Sequence, residues 1–590
     1  MTILEEPRIG VFVCHCGINI GGVVNVPDVV EYAKTLPNVV WAEGNLYTCS
    51  EAGLSSIKDS IKKNGLNRVV VASCTPRTHE PLFRSTCEEA GLNKYLFEMA
   101  NIREQCSWVH SHEPEEATMK AKDIVRMAAA RARWLEPQDE PEVDVSDSAM
   151  VIGGGISGLT AAVTLANQGF KVHLVEKDPQ LGGITRRLGK IYPTLQDSSE
   201  IIDPLIKTAT SNKNIEIYTS ATLKDISGYV GNFKVALKKG AEDVKLDVGT
   251  IVIASGALNY EPPKGSFQYR VLDKVVTQLQ LEEMLAHGKL AEPERILMIQ
   301  CVGSRIGEVW TYELSDMTQS FAARLLSKIL GAKKEEGWPY CSKICCMNAI
   351  KNAIRIKELW PKAHVDILFS DLRTYKEYED FYRRARRLEV KFIRYIREIP
   401  PGIVEAPDNK LKVTVYDTLA GVETEFLCDL VALSTPLCPS KEDVMLARML
   451  KVPLGPDGFF MEAHPKLRPV DCQSDGIFIA GTACGPKDIP ESIISAKAAA
   501  ARASILMANK KLKAEALTAD VNTDLCIGCG LCEELCPYGA HKIEKGKSTT
   551  IAALCRGCGV CAADCPRRAI TMRHYGDRQI LAQVEAMMAQ

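Results

Sequence analysis

The sequence predicts a multidomain α/β protein built around a two-domain core of open, largely parallel sheets. Three observations predict it. Met150-Val-Ile-Gly-Gly-Gly-Ile-Ser-Gly-Leu159 runs from an apolar strand through a glycine-rich turn into a helix. Short β-rich runs alternate with helical patterns through residues 7–145, the pattern of parallel strands joined by crossover helices. Two cysteine runs of identical spacing stand near the end of the chain.

With 590 residues the chain exceeds one hydrophobic core, and about four domains is the length-based expectation. Hydrophobic residues make up 46% and charged residues 25%, ordinary globular values that argue against disorder. A net charge of -2 argues against nucleic acid as a partner. The densest basic patch, Arg383-Arg384-Ala-Arg386-Arg387, could touch an acidic partner, but a solvated helix face is the simpler reading. Met1-Thr-Ile-Leu-Glu-Glu-Pro lacks the features of a signal peptide, and no stretch of about 20 residues is apolar enough to span a bilayer. A cytoplasmic protein is expected. Disulfides would need export, so the 22 cysteines point to metal ligation or redox chemistry.

In the N-terminal region Arg8–Cys14, Val39–Ala42 and Arg68–Cys74 read as strands, with a helix over Ser50–Lys63. Cys14 and Cys74 then fall at the carboxyl ends of strands, where open α/β sheets place ligands. Cys16 and Cys49 could reach that edge, and Cys106 as well. Four thiolates there could hold an iron–sulfur cluster, yet the spacing follows no ferredoxin pattern and buried free cysteine is common. A helix over Glu115–Leu135 and a connecting segment Glu136–Val145, broken by Pro137 and Pro141, follow.

At the glycine turn each part has a mechanical role. Gly153 permits the tight turn, Gly155 lets backbone approach a pyrophosphate, and Gly158 packs helix on strand. The helix start, Ile156 and Ser157, offers free N–H groups to phosphate. Strand Lys171–Val175 leads to Glu176, about 20 residues further on and placed for an adenosine ribose. A lone glycine triplet is weak; strand, triplet, helix, second strand and acid in order make a dinucleotide site. FAD is favoured over NAD by Thr250–Ala257, a strand ending in Ala254-Ser255-Gly256, and by Gly476–Ala483, a strand ending in Ala-Gly481-Thr482. Both resemble later FAD signatures of glutathione- and thioredoxin-reductase-type flavoproteins, except that Thr482 stands where that type has Asp. Lys177, Gly182, Gly183 and Ile489 complete the candidate FAD contacts, and the N-terminus of an alanine-rich helix, Ile493–Met507, is expected to face the flavin.

Flavoproteins of that type insert an NAD(P)H domain between these motifs, and residues 265–425 have a suitable size. The expected first strand, Arg295–Gln300, runs into Cys301-Val-Gly-Ser-Arg-Ile-Gly307, with cysteine where the first turn glycine would be. Nicotinamide binding at this turn is therefore disfavoured. Cys301 with Cys341, Cys345 and Cys346 gives four thiols in one inserted domain, enough for a [4Fe–4S] cluster; a redox-active Cys345-Cys346 dithiol and plain burial are the alternatives. The segment between Cys301 and Cys341 reads as largely helical over Met317–Ile329.

Cys526-x₂-Cys529-x₂-Cys532-x₃-Cys536-Pro and Cys555-x₂-Cys558-x₂-Cys561-x₃-Cys565-Pro are the two-cluster ferredoxin repeat, in which each fourth cysteine serves the other cluster. Cys526, Cys529, Cys532 and Cys565 are expected to hold one [4Fe–4S] cluster, and Cys555, Cys558, Cys561 and Cys536 the second. A zinc site needs only four ligands. Gln579–Gln590 reads as a short terminal helix.

The predicted fold is thus α/β: a thioredoxin-reductase-like two-domain FAD flavoprotein core with an N-terminal α/β domain and a C-terminal α+β two-[4Fe–4S] ferredoxin domain. The expected boundaries are 1–145, 146–264 for the first part of the FAD domain, 265–425 for the insertion, 426–512 for its second part, and 513–590.

Several phrases resemble the A-type subunit of heterodisulfide reductase: Val13-Cys-His-Cys-Gly-Ile-Asn-Ile, Cys74-Thr-Pro-Arg-Thr-His-Glu-Pro, Asn101–His110, the glycine turn, Cys301-Val-Gly-Ser-Arg with Tyr340–Cys346, and Gly481–Pro490. The resemblance covers nearly the whole chain. It implies an FAD-bearing oxidoreductase subunit in which the flavin is associated with electron bifurcation, a two-electron donor being split between a high- and a low-potential acceptor. It also implies a cluster at Cys301, Cys341, Cys345 and Cys346, and another at Cys14, Cys16, Cys49 and Cys74 with Cys106 in reserve. The implied partners are other heterodisulfide-reductase-like subunits, an electron-input module such as a hydrogenase or formate dehydrogenase, and ferredoxin, around a homodimer. Methanogen members carry a further ferredoxin insert; here Gly228–Val235 continues through Ala241–Val248 without such cysteines, and the Cys301–Cys341 excursion is longer. A bacterial relative is expected. No catalytic acid–base pair stands out, so the flavin carries the chemistry. A non-bifurcating conduit and scaffold, or a stand-alone NAD(P)H-dependent reductase, are the competing readings.

Overall fold

The computed structural model of the chain describes residues 6–306 and 337–589, apart from the side chain of Thr78. The helical reading of Met317–Ile329 lies outside the described residues. The chain forms two compact units: one joins the residues up to Val143 with those from Lys513 onward, and the other is Asp144–Leu512.

In the first unit four parallel strands lie in the order Val39–Asn45, Ile9–Cys14, Arg68–Ser73, Phe97–Asn101. The two central strands are buried along their whole length, as their runs of valine and isoleucine require. Because all four run the same way, the chain leaves every strand at one edge, which is where Cys14 and Cys74 stand. The helix Glu51–Asn64 starts where Ser50 Oγ accepts the Gly53 N–H at 3.3 Å and stops at Gly65 in the left-handed region.

The cysteine-rich C-terminal segment packs in this same unit rather than standing as a body of its own. Antiparallel strand pairs Ala519–Val521 with Ile570–Met572, and His541–Glu544 with Lys547–Thr550, frame the short helices Leu531–Leu535 and Val560–Ala563. The N-terminal helix Pro114–Ala132 receives it. Arg131 pairs with Glu98 at 2.6 Å, donates to the His574 carbonyl at 2.9 Å and stacks on Tyr575 at 4.4 Å. Arg126 donates to the carbonyl of Ala586 in the terminal helix Asp577–Met588 at 2.6 Å.

The second unit contains the same architecture twice. Its first parallel sheet has the order Ile477–Ile479, Thr250–Ile253, Ser148–Ile152, Lys171–Val175, Ile215–Tyr218. Its second has the order Val275–Thr277, Leu430–Leu433, Arg295–Ile299, His364–Phe369, Lys391–Arg394. Each is accompanied by a three-stranded antiparallel sheet, Ala221–Val248 in one half and Gly402–Cys428 in the other. Strand Asn232–Lys239 turns directly into Glu242–Val248, so this stretch holds no insert.

The alanine-rich helix spans Ile489–Asn509, starting before the expected Ile493. Asp488 accepts the Glu491 N–H at 2.8 Å and Glu491 accepts the Asp488 N–H at 3.1 Å. Pro490 is tolerated because the first-turn N–H groups have no helical partners. The basic patch lies on the helix Glu379–Arg387, where Arg383 pairs with Glu379 at 3.0 Å and Arg384 with Glu358. Two of its four arginines are thus paired with acids of its own chain. Among the described residues no helix is long and apolar enough to cross a membrane.

Candidate functional site

The glycine turn is built as its spacing requires. Gly153 has φ +110°, and a Cβ there would stand 2.2 Å from the Ala254 carbonyl oxygen. A Cβ on Gly158 would stand 1.7 Å from the Gly153 carbonyl oxygen, so this glycine lets the helix Ile156–Asn167 cross the turn. Gly155 differs: nothing lies closer than 4.0 Å to its missing Cβ, and its open side is a cavity of about 560 Å³. Glu176, nearly buried, accepts the Gly154 N–H at 2.6 Å and the Asp178 N–H at 2.8 Å. A carboxylate has lone pairs beyond these two bonds, so Glu176 can still accept from a ribose at the cavity wall.

Gly153, Gly155, Ile156, Ser157, Glu176, Lys177, Gly183, Ala254, Ser255, Gly256, Thr482 and Ile489 all line this cavity. Three candidate contacts do not, and act from behind. Gly158 seats the helix on the turn. Gly182 holds the turn by donating to the Gly154 carbonyl at 2.8 Å. Gly481 leaves room for Ser157, whose Oγ would be 2.0 Å from a Cβ, and donates to Ser495 Oγ at 2.8 Å.

The inserted domain supplies the other wall, through residues that the sequence reading missed. Helices Gln278–Ala286 and Cys345–Leu359 bring two polar pairs to the cavity. Lys351 donates to Glu282, the two side chains being 1% and 2% exposed, and also to the Lys190 carbonyl at 2.7 Å. Glu282 further accepts the N–H groups of Gly189 and Lys190 at 3.0 and 3.1 Å. Burial pulls the Lys351 amine below its ordinary range, and Glu282 opposes that shift. Beside this pair Asn352 Nδ2 donates to Gln278 Oε1 at 2.9 Å. Polar side chains on helix faces that are otherwise apolar were the signal that could have found them.

In the second half Cys301 stands where Gly153 stands in the first, and it too has positive φ, +63°. The helix that would present its N-terminus to a pyrophosphate begins instead with Cys345 and Cys346. Burial pushes the Cys345 thiol well above its ordinary range, and charge on Cys346, Cys301 and Cys341 raises it further. Burial likewise pushes Cys346 up to about 12, with Cys301 and Cys341 adding to the rise. The four predicted thiols thus lie within electrostatic reach of one another, and Cys341 Sγ accepts the Lys343 N–H at 3.3 Å. Cys345 also lines the cavity. The cavity wall and this group of thiols thus share one residue.

At the N-terminal sheet edge burial raises the Cys49 thiol, and Cys14 and Cys16 raise it further. Burial pushes Cys74 up to about 11, with Arg103 opposing and Cys16 adding. Cys14 Sγ accepts the Thr48 N–H at 3.4 Å, and Arg103 donates to Cys16 Sγ at 3.5 Å. Cys106 stands apart, its buried thiol donating to the Ala117 carbonyl at 3.1 Å. The helix Pro114–Ala132 holds it there.

In the ferredoxin-type runs burial raises Cys561 to about 11, and Cys555, Cys536 and Cys558 raise it further, so Cys536 of the first run is within electrostatic reach of the second. In the other group Ser548 links two ligand candidates: its N–H reaches Cys526 Sγ at 3.4 Å and Cys532 donates to its Oγ at 3.1 Å. Matching N–H···S bonds, Ala540 to Cys536 and Ala569 to Cys565, both at 3.3 Å, repeat in the two runs. Clustered thiols with sulfur-directed N–H donors suit [4Fe–4S] clusters, and a cavity opening on Gly155 between two helix N-termini suits a dinucleotide.

Two family models match the chain: an NAD(P)-binding Rossmann-like domain at residues 151–189 and a 4Fe-4S binding domain at residues 519–540. Over 674 residues the chain is 40% identical to the A-type subunit of the H(2):CoB-CoM heterodisulfide,ferredoxin reductase of Methanothermobacter thermautotrophicus, covering 99% of this chain and 98% of that protein. It is 41% identical to the second A-type iron-sulfur subunit of the CoB--CoM heterodisulfide reductase of Methanopyrus kandleri, covering 91% of each. It is 36% identical to the A-type subunit of the H(2)/formate:CoB-CoM heterodisulfide,ferredoxin reductase of Methanococcus maripaludis, covering 99% of each. The first alignment has more positions than this chain has residues, so that relative carries sequence absent here. Thioredoxin reductase from T. acidophilum is similar over 62% of this chain and 99% of its own, at 16% identity and a TM-score of 0.41.

Proposed function

The chain belongs to the A-type family of heterodisulfide reductase subunits, and from that membership we propose that it is the electron-bifurcating member of a cytoplasmic complex. It is an oxidoreductase subunit whose cofactors are FAD and [4Fe–4S] clusters. The observation that carries the finer reading is Cys345, which lines the dinucleotide cavity and is within electrostatic reach of Cys346, Cys301 and Cys341. Bound FAD supplies the exchange between electron pairs and single electrons. Gly153, Gly155 and the helix start at Ile156 cradle its pyrophosphate, and Glu176 accepts from its ribose. Lys351 and Glu282 form a charged pair in the wall, with Lys351 Nζ as its proton-holding atom. Cys301, Cys341, Cys345 and Cys346 ligate the adjoining cluster. Cys14, Cys16, Cys49 and Cys74 ligate one more, and the two C-terminal groups ligate the remaining two.

The names of the relatives mention hydrogen, formate and ferredoxin. By that likeness the chain works with heterodisulfide-reductase-like subunits, a hydrogenase or formate dehydrogenase as electron input, and ferredoxin as an acceptor; a homodimer at the centre of the complex is part of the same proposal.

Anaerobic purification of the complex with flavin and iron counts tests the reading. One FAD and about 16 iron atoms per chain are expected, and about 8 would leave only the C-terminal pair. The isolated chain should not be bleached by NADH alone, because Cys301 occupies the second turn. Bleaching by NADH would make it a stand-alone reductase. A complex that reduces ferredoxin with its donor only when a high-potential acceptor is present is bifurcating; uncoupled transfer would make the chain a simple conduit.

A further inference from the structure

Gln278 and Asn352 present an unanswered pattern at the cavity. Both line it, and they are 7% and 0% exposed. Asn352 Nδ2 donates to Gln278 Oε1 at 2.9 Å, which leaves Gln278 Nε2 and Asn352 Oδ1 buried without partners among the described residues. Buried polar atoms left without hydrogen bonds cost stability, so they mark places where a ligand supplies the partner. The pattern does not depend on how the amides are turned. If both are flipped, Gln278 donates to Asn352, and one donor and one acceptor again remain free.

A free N–H and a free C=O on two hydrogen-bonded amides, with no net charge, select their complement. Phosphate or carboxylate offers only acceptors and would set an oxygen against the free carbonyl. An ammonium group offers only donors. What fits is a neutral planar edge carrying its own N–H next to its own C=O. The helices also fix the place: Gln278 lies one turn from Glu282, and Asn352 follows Lys351, so the amide pair adjoins the buried ion pair.

We propose that Gln278 and Asn352 together bind an amide-type edge of a redox cofactor, pairing their free donor and acceptor with its C=O and N–H. Two sources share this chemistry: the N3–H/C4=O side of the flavin ring and the carboxamide of a nicotinamide. The inference deepens the FAD reading and rests on it.

The test uses the full chain, stripped of flavin and reconstituted anaerobically, with iron content and far-ultraviolet circular dichroism as checks of the fold. Asn352→Leu and Gln278→Leu are expected to weaken FAD binding about tenfold or more. FAD methylated at N3, which lacks the N–H, should bind the native chain as weakly as FAD binds the variants and lose little more in them. Should a leucine variant misfold, Asn352→Asp keeps the shape, replaces the amide with acceptors alone, and should weaken FAD binding likewise. Unchanged FAD affinity with NADH binding to the flavin-loaded chain lost in the variants assigns the edge to nicotinamide. Unchanged affinity for both FAD and NADH overturns the proposal. A native chain that takes up no FAD defeats the flavin reading itself, a different result from unchanged affinity in the variants.

Discussion

Lys351 and Glu282 lie on facing helices and form an ion pair that is 1% and 2% exposed in the wall of the dinucleotide cavity. Two charges removed from water persist only while each answers the other, and the Lys190 carbonyl with the Gly189 and Lys190 N–H groups completes the shell. The pair joins the inserted domain to the segment beside the glycine turn. It couples the shape of the cavity to the integrity of both halves.

Glu282→Leu is therefore expected to cost about 3–5 kcal/mol, because it strands a buried amine. Lys351→Met with Glu282→Leu should recover most of that loss. Urea-induced flavin release from the native chain and the variants gives the comparison. Equal loss in the single and double variants would mean that packing, not charge, sets the cost.

The turn glycines should separate into two classes. Gly158→Ala meets the Gly153 carbonyl and should prevent the second unit from folding. Gly155→Ala meets no protein atom closer than 4.0 Å, so the unit should fold but bind FAD about tenfold more weakly or worse. Circular dichroism and flavin titration distinguish the two. Normal FAD affinity in Gly155→Ala would place the pyrophosphate elsewhere.

Iron content separates ligands from bystanders. Cys301→Ala should lose about four iron atoms per chain while retaining flavin, and Cys106→Ala should lose none. Cys14→Ala should also lose about four. Unchanged iron in Cys301→Ala would remove that residue from the ligand set.

Acid should weaken the first unit through His574. Burial holds its imidazole below the ordinary 6.5, and its ring N–H donates to the Glu136 carbonyl at 2.7 Å. The unfolded chain takes up this proton near pH 6.5 while the folded one resists it, so the stability is present above that pH and lost as pH falls through the folded value. Urea midpoints followed by tryptophan fluorescence should drop between about pH 7.5 and 5.5 more in the native chain than in His574→Gln. Equal drops would assign the acid sensitivity to other groups.

Much of the fold was legible. The turn at Gly153 and the run from Cys526 to Cys536 carry their chemistry within a few residues, so spacing alone identifies them. The start of the helix Ile489–Asn509 was misplaced because Pro490 reads as a breaker, although the first turn tolerates it. The N-terminal cysteines offered only strand ends as a clue, and the packing that separates Cys106 from the other four was invisible.

The sequence by itself determined the dinucleotide turn, the cysteine at the second turn and the ferredoxin repeat, because each is a local pattern with a local cause. Only the tertiary structure decided that Cys345 faces the cavity, that Lys351 meets Glu282, that Gln278 meets Asn352, and that the two chain ends build one unit. The reason is that parallel sheets gather residues from distant crossovers at one edge. Which distant side chains then face each other depends on how helices pack across that edge, and no spacing along the chain records it.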